Sequence, residues 1–273
     1  MTRSAVLSSL FLLGAASGAL AQAPFRTLTD DPWCRHTGHE NDHPRWCEVR
    51  QATLPAAAGV LVVDASPNGG VKATGADRSD VEVRARVEAR GGTEDEARAA
   101  AAQVRIVAGS NGIRAEGPRT DSPHWWVSFE VEVPRRSDLR LTSVNGPVTV
   151  SGISGHLDLS TENGPVSVSR VAGAVKGRTV NGPITAELEG SRWSGEGLDL
   201  ETTNGPVTLA VPEGYNARLD TGTVHGPVKL DFPVSVSGSI GHSIETTLGN
   251  GGAPVRAHTT NGPVRLRRAS ATP

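Results

Sequence analysis

Large rings are scarce in this chain: aromatic residues make up 4% of its 273 positions, and there is one methionine and there are two cysteines. That shortage excludes an aromatic-rich core. With 32 glycines and 18 prolines, both above average usage, it suits many short strands joined by tight turns, so the expected class is all-β. Neither sign of charge is in excess. Twenty-seven basic residues face 29 acidic ones, a formal net charge of -2, which leaves no global field to gather nucleic acid. Long apolar runs are missing beyond the N-terminus, so no membrane span of about 20 residues is expected. No Ser-His-Asp set, glycine-rich phosphate loop or cysteine-rich metal motif stands in a suitable context, so neither a cofactor nor a catalytic centre is expected.

What is present begins with an export signal. Arg3 precedes an apolar run from Ala5 to Ala16, interrupted by Ser8, Ser9 and Gly14, and Ala19-Leu20-Ala21 supplies the small residues of a cleavage site. Residues 1–21 therefore read as a signal peptide cut after Ala21. No cysteine follows the cut, so a lipid anchor is not expected, and the product is periplasmic, secreted or at the cell surface. In an oxidising compartment, Cys34 and Cys47 are expected to form a disulfide. It would stabilise by about 3 kcal/mol at most and tie down a Cys/His-rich segment over residues 22–50.

Internal repeats dominate the rest. Asn145-Gly146-Pro147-Val148 recurs from Asn163, Asn181 and Asn204, from His225 in place of Asn, and from Asn261. Successive offsets are 18, 18, 23, 21 and 36. The last is twice eighteen, which predicts a coil without its signature between Val228 and Asn261. Asn68-Gly69-Gly70-Val71 and Asn111-Gly112-Ile113 are weaker echoes upstream.

Aligned on the Asn, the repeats show columns. Leu139, Leu157, Val175, Leu198 and Leu219 stand six residues before it, and Ser143, Thr161, Thr179, Thr202, Thr223 and Thr259 two before it. Val148, Val166, Ile184, Val207, Val228 and Val264 follow the turn, and polar residues fill the positions between. Period-two alternation on both sides of a turn means two half-buried strands per repeat. So small a unit must stack on its neighbours, which predicts a parallel β-solenoid of about 18 residues per coil over residues 137–268. A hairpin array is the alternative. Asn and Gly tolerate the left-handed region and Pro fixes φ, so Asn-Gly-Pro specifies the corner. Hydroxyls that share the parity of the buried leucines are expected to bond between coils.

Residues 51–136 read as a β-rich region continuous with the solenoid. Strands are expected at Val60–Val63, Val81–Val87 and Val127–Val133. Thr93 with Glu96 forms a capping box before the one helix, near residues 94–105, which would flank an open sheet edge.

These features resemble an adhesin-like family of exported bacterial β-strand-repeat proteins, a domain of unknown function. The resemblance rests on the Thr-x-Asn-Gly-x-Val repeats, the strand Trp125-Trp126-Val127-Ser128-Phe129 ending at Pro134, the Trp193 insert and Pro212-Glu213-Gly214-Tyr215. It covers about Glu48 to Arg268. It implies a fold and carries no catalytic residues over.

Three candidate sites remain. His36, His39 and His43 lie between the cysteines with Glu40 and Asp42, where a loop could gather them on a transition metal. Asp199 and Asp220 are equivalent in successive repeats, close to Glu201, and could serve as paired carboxylates of a carbohydrate-active enzyme. Trp125, Trp126 and Trp193, the last in a five-residue expansion, could stack on ligands. The leading expectation is a non-catalytic envelope or secreted protein presenting a rigid β-repeat face to envelope polysaccharide or protein. The alternatives are a carbohydrate-active β-helix enzyme and a periplasmic metal-binding or envelope-stress accessory protein.

Overall fold

The computed structural model describes residues 25–28, 30–35, 44–109, 112–118, 125–231 and 241–269. The chain opens with β1 (Arg26–Leu28), a 3-10 turn (Pro32–Cys34) and β2 (Arg45–Pro55). β3 (Leu61–Asp64), β4 (Val71–Ala76) and β5 (Asp80–Arg90) lead into helix α1 (Glu94–Gln103), then β6 (Arg105–Gly109), β7 (Gly112–Glu116) and β8 (Trp125–Pro134). The repeats supply strand pairs: β9 (Leu139–Thr142) with β10 (Val148–Ser151), β11 (Ser154–Asn163) with β12 (Val166–Ser169), and β13 (Ala172–Asn181) with β14 (Ile184–Glu187). They continue as β15 (Gly197–Asn204) with β16 (Val207–Val211) and β17 (Ala217–His225) with β18 (Val228–Leu230). After β19 (Ser243–Leu248), β20 (Pro254–Asn261) and β21 (Val264–Arg268) close the chain.

Each repeat gives one strand to each of two facing sheets, and like strands of neighbouring coils pair in parallel. Leu157 lies beside Leu139 and Val175, and Val166 beside Val148 and Ile184, so the apolar columns of the sequence become continuous stacks between the sheets. The Asn68-Gly69-Gly70-Val71 echo is a coil of the same kind, with Val71 beside Val148. The second echo is not. Gly112 opens β7, which pairs antiparallel with β6 as a hairpin, while Asn111 lies outside the described residues.

Three contacts build each corner. Every hydroxyl of the Ser/Thr column donates to the glycine carbonyl of the adjoining coil: Ser143 to Gly69 at 2.7 Å, Thr161 to Gly146, Thr179 to Gly164 and Thr202 to Gly182 each at 2.9 Å, and Thr223 to Gly262 and Thr259 to Gly205 each at 2.8 Å. The Asn side chains form an amide ladder in which Nδ2 of each donates to Oδ1 of the one stacked before it: Asn145 to Asn68 at 2.9 Å, Asn163 to Asn145, Asn181 to Asn163, Asn204 to Asn181 and Asn261 to Asn204. His225 Nδ1 ends the row against Asn261 Oδ1 at 3.1 Å. Third, the glycines sit backbone on backbone. A Cβ on Gly164 would stand 2.1 Å from Gly146 O, and one on Gly182 2.0 Å from Gly164 O. Gly146, Gly164, Gly182 and Gly205 do not occupy the left-handed region, so close approach and not positive φ demands glycine there.

Two departures from chain order follow. Among its described residues the 36-residue interval holds no further coil. After β18 the chain returns as β19, which pairs antiparallel along the outside of β17, and β20/β21 then insert between the β15/β16 and β17/β18 coils. Likewise β7/β8 stack before β3/β4 although they follow them in sequence.

At the N-terminal end one sheet continues beyond β8 through antiparallel β5, β2 and β1. The helix covers the core face of β2 and β5 here; it does not guard an edge. Ala97, Ala100 and Ala101 are its buried side, and Thr93 caps its start by accepting from Glu96 N. Arg50, opposite the buried Ala85, donates to Val104 O just past the helix end and, at 2.8 Å, to Ala101 O, which also accepts the Val104 N–H.

Gly182→Ala is expected to destabilise by about 3 kcal/mol, because its methyl meets a backbone carbonyl that cannot yield. Gly59→Ala, with nothing within 4 Å of the added carbon, is expected to be near neutral, and chemical denaturation separates the two. A second expectation concerns Tyr215, the single tyrosine, whose burial pushes its phenol up from 10.0 to about 12. A raised folded value means that the unfolded chain loses its proton first. Stability is therefore constant in this respect below about pH 10 and falls as pH rises towards about 12. Tyr215→Phe should abolish that part of the alkaline loss, as measured by thermal unfolding against pH.

Candidate functional site

The outer face of the sheet containing β9, β11, β13, β15, β20 and β17 carries rows of charge. In register, Arg140, Asp158, Lys176, Asp199, Arg256 and Asp220 follow one another across six strands with alternating sign. Arg140 meets Asp158 at 3.3 Å and Arg256 meets Asp220 at 3.6 Å. In the next row Arg178 pairs with Glu201 at 3.2 Å, and His258 Nε2 lies 3.0 Å from Asp220. Exposed pairs of this kind contribute about 0–1 kcal/mol each, so their main effect is to set the pattern the face presents.

This register removes the expected pairing of Asp199 with Asp220. Strand β20 lies between their strands, which puts them about 9–10 Å apart with Arg256 in the gap. Glu201 is committed to Arg178. The inserted strand was invisible in the repeat spacing, which made the two aspartates look adjacent.

The three tryptophans have different fates. Trp193 is buried at 7% exposure and donates from Nε1 to Gly173 O at 2.9 Å, so its expansion loop folds back and the ring belongs to the core. Trp125 packs partly against the core and donates to Pro118 O at 2.9 Å. Trp126 points to the opposite face of β8. It is half-buried, donates to Glu88 Oε2 at 2.7 Å, and has the guanidinium groups of Arg90 and Arg45 at 5.2 and 5.7 Å from its ring.

Beside it, the Cys34–Cys47 disulfide joins the 3-10 turn to β2, with Cα atoms 5.7 Å apart. Trp33 of that turn stacks with Arg84 and Arg86 at 5.3 and 5.1 Å. Asp31 caps the turn through Trp33 N and accepts two bonds from Arg84 at 2.8 and 2.9 Å. Burial opposes ionisation of Asp31, but the Trp33 N–H and the Arg84 guanidinium outweigh it and hold the carboxyl below its usual range. The sequence held a signal for this cluster that motif reasoning passed over. Glu82, Arg84, Arg86, Glu88 and Arg90 alternate along β5 and so share one face. His36, His39 and His43 lie in the loop between the cysteines, outside the described residues. Among the described residues no three His, Cys, Asp or Glu side chains come together to hold a metal.

A cavity of about 500 Å³ opens where the chain crosses between sheets, lined by Ala57, Leu61, Val133, Asp138 and His156 among others. Asp138 Oδ1 accepts the His156 backbone N–H at 2.8 Å, which is the main reason its carboxyl is held low, and lies 3.3 Å from His156 Nδ1. Ser137 spends its hydroxyl on Pro134 O at 2.8 Å, so it is not aimed at His156.

A stack of two-stranded coils bolted at glycine corners, with one surface patterned in alternating charge, defines a β-solenoid repeat protein. The Toastrack DUF4097 family model matches residues 75–267, and the chain belongs to that family. No curated protein matches the sequence. Among solved structures, a candidate cell adhesion protein from Clostridium sporogenes is similar at 11% identity and a TM-score of 0.43, over 82% of this chain and all of that one. An adhesin candidate from Bacteroides fragilis is similar at 9% identity and a TM-score of 0.37, over 81% of this chain and 97% of that one. A candidate lipid binding protein from Parabacteroides distasonis follows at 8% identity and a TM-score of 0.25, over 81% and 96%. Among the described residues no helix is long and apolar enough to cross a membrane.

Because Trp193 fills the core and its N–H binds a backbone carbonyl, Trp193→Ala should cost about 3–5 kcal/mol in thermal or chemical unfolding.

Proposed function

We propose that the mature chain is a non-catalytic exported protein of the cell envelope or its surroundings, which offers the charged face of its solenoid for adhesion to polysaccharide or protein. One observation carries this reading: the row Arg140–Asp158–Lys176–Asp199–Arg256–Asp220 spans six strands of a rigid sheet without converging on a reacting centre. Solenoids present extended surfaces of this kind by construction. Alternating charge favours a partner of matching zwitterionic pattern, and it supplies orientation and specificity more than bulk affinity. The disulfide and the N-terminal signal-like segment support export.

The test is retention of purified residues 22–273 on immobilised envelope fractions and a polysaccharide panel. Specific retention that persists in moderate salt is expected. Lys176→Glu, which places three acidic residues in a row on an outward position, should weaken retention roughly tenfold while lowering stability by no more than about 1 kcal/mol. Absence of retention on every matrix, or equal retention of wild type and K176E, would overturn the assignment to this face.

A further inference from the structure

The N-terminal outer face contains an electrostatic conflict. The register of β2 and β5 sets Arg45 directly opposite Arg90, and like charges in that relation destabilise a sheet. Among the described residues neither guanidinium has a carboxylate partner. Glu88, the nearest acid on the same face of β5, is 3% exposed and already engaged, accepting the Trp126 indole N–H and pairing with Arg86 Nε at 3.0 Å. Across Arg45, Arg86, Arg90 and Glu88, three cations meet one anion.

Burial sharpens the conflict. Nε of Arg45 and Nε of Arg90 are both buried and find no hydrogen-bond acceptor among the described residues, whereas buried polar groups in folded proteins are almost always satisfied. Arg86 Nε differs, because the Glu88 carboxylate stands beside it. The Trp126 ring offsets part of the cost through its contacts with both guanidinium groups, and those contacts also restrict where the two planes can go. The inner edges are thus covered and held, and the terminal Nη groups are the part of each fork that a ligand would meet. Guanidinium forks prepositioned in this way match the geometry of a tetrahedral oxyanion.

We propose that Arg45 and Arg90 are the two arms of a binding site for a dianionic phosphate or sulfate group, with Trp126 as the platform that holds both arms. A dianion neutralises the pair and resolves the like-charge contact across β2 and β5. The disulfide through Cys47 secures this end of β2 to the 3-10 turn, so the arm bearing Arg45 is braced two residues away. The site is independent of the adhesive reading of the other sheet face.

The experiment uses the disulfide-bonded mature chain. Inorganic phosphate is titrated calorimetrically, and melting temperatures are compared in phosphate and in chloride at equal ionic strength. Wild type should bind phosphate and melt higher in it, since a ligand that binds only the folded state stabilises by mass action. Arg45→Gln and Arg90→Gln should each weaken binding roughly tenfold or more, the loss expected for a charge-assisted pair. In chloride both variants should melt no lower than wild type, because each relieves the repulsion; a purely structural role would lower them. Arg265→Gln, distant from the face, should leave phosphate binding unchanged. Vesicles of phosphatidylcholine with and without phosphatidate separate the sources: retention only with phosphatidate assigns a lipid headgroup, and binding of inorganic phosphate alone assigns the free ion. No difference between phosphate and chloride, or an equal phosphate effect in wild type and both variants, would overturn the site.

Discussion

The stack rests on one contact: the glycine carbonyl of each corner, which lies against the glycine of the next coil and accepts the Ser or Thr hydroxyl from within. Nothing larger than hydrogen fits at Gly146, Gly164, Gly182 and Gly205, since a methyl would stand about 2 Å from a carbonyl oxygen. That closeness lets Asn side chains of adjoining coils reach each other at 2.8–2.9 Å and extend a row from Asn68 to Asn261. It also satisfies carbonyls that would otherwise be buried without partners. Once the corner register is set, Leu over Leu and Val over Val follow on both sheets, and the core forms without large rings.

Because each coil recognises its neighbours through the same corner and the same columns, chain order need not be stacking order. Closing a longer loop costs little more entropy than closing a short one, so a strand pair can settle where its side chains fit best. The insertion of β20/β21 is one such case. Stacked in chain order, β15 and β17 would set Asp199 against Asp220; the inserted strand brings Arg256 between them and continues the alternation of sign. Unlike charges across strands contribute and like charges oppose, so this placement is locally favourable by a small amount, although Asp220 still faces Glu245 on its other side.

The N-terminal end obeys different rules. There the sheet runs antiparallel, its core face is closed by an alanine-sided helix, and its outer face by a disulfide-tied turn whose Asp31 and Trp33 engage Arg84 and Arg86. Four of the arginines on this face stack on tryptophan, two on Trp33 and two on Trp126, and Arg84 and Arg86 also meet acids. Among the described residues Arg45 and Arg90 meet none, and this imbalance separates a surface built for its own stability from the site proposed to take a ligand.

Much of this was legible in the amino-acid sequence. Period-two alternation around Asn-Gly-Pro gave the two strands of each coil, the parity of the hydroxyl column gave its place among buried leucines, and the Cys34–Cys47 bond was expected from the closeness of the two cysteines and the signal-like segment before them. Such features are local, so spacing along the chain reveals them. The order of coils, the separation of Asp199 from Asp220, the burial of Trp193 and the meeting of Arg45 with Arg90 were decided by tertiary structure alone. Each depends on which strand pairs with which, and identical repeats make many pairings locally equivalent; only the summed packing and charge of the whole stack selects one.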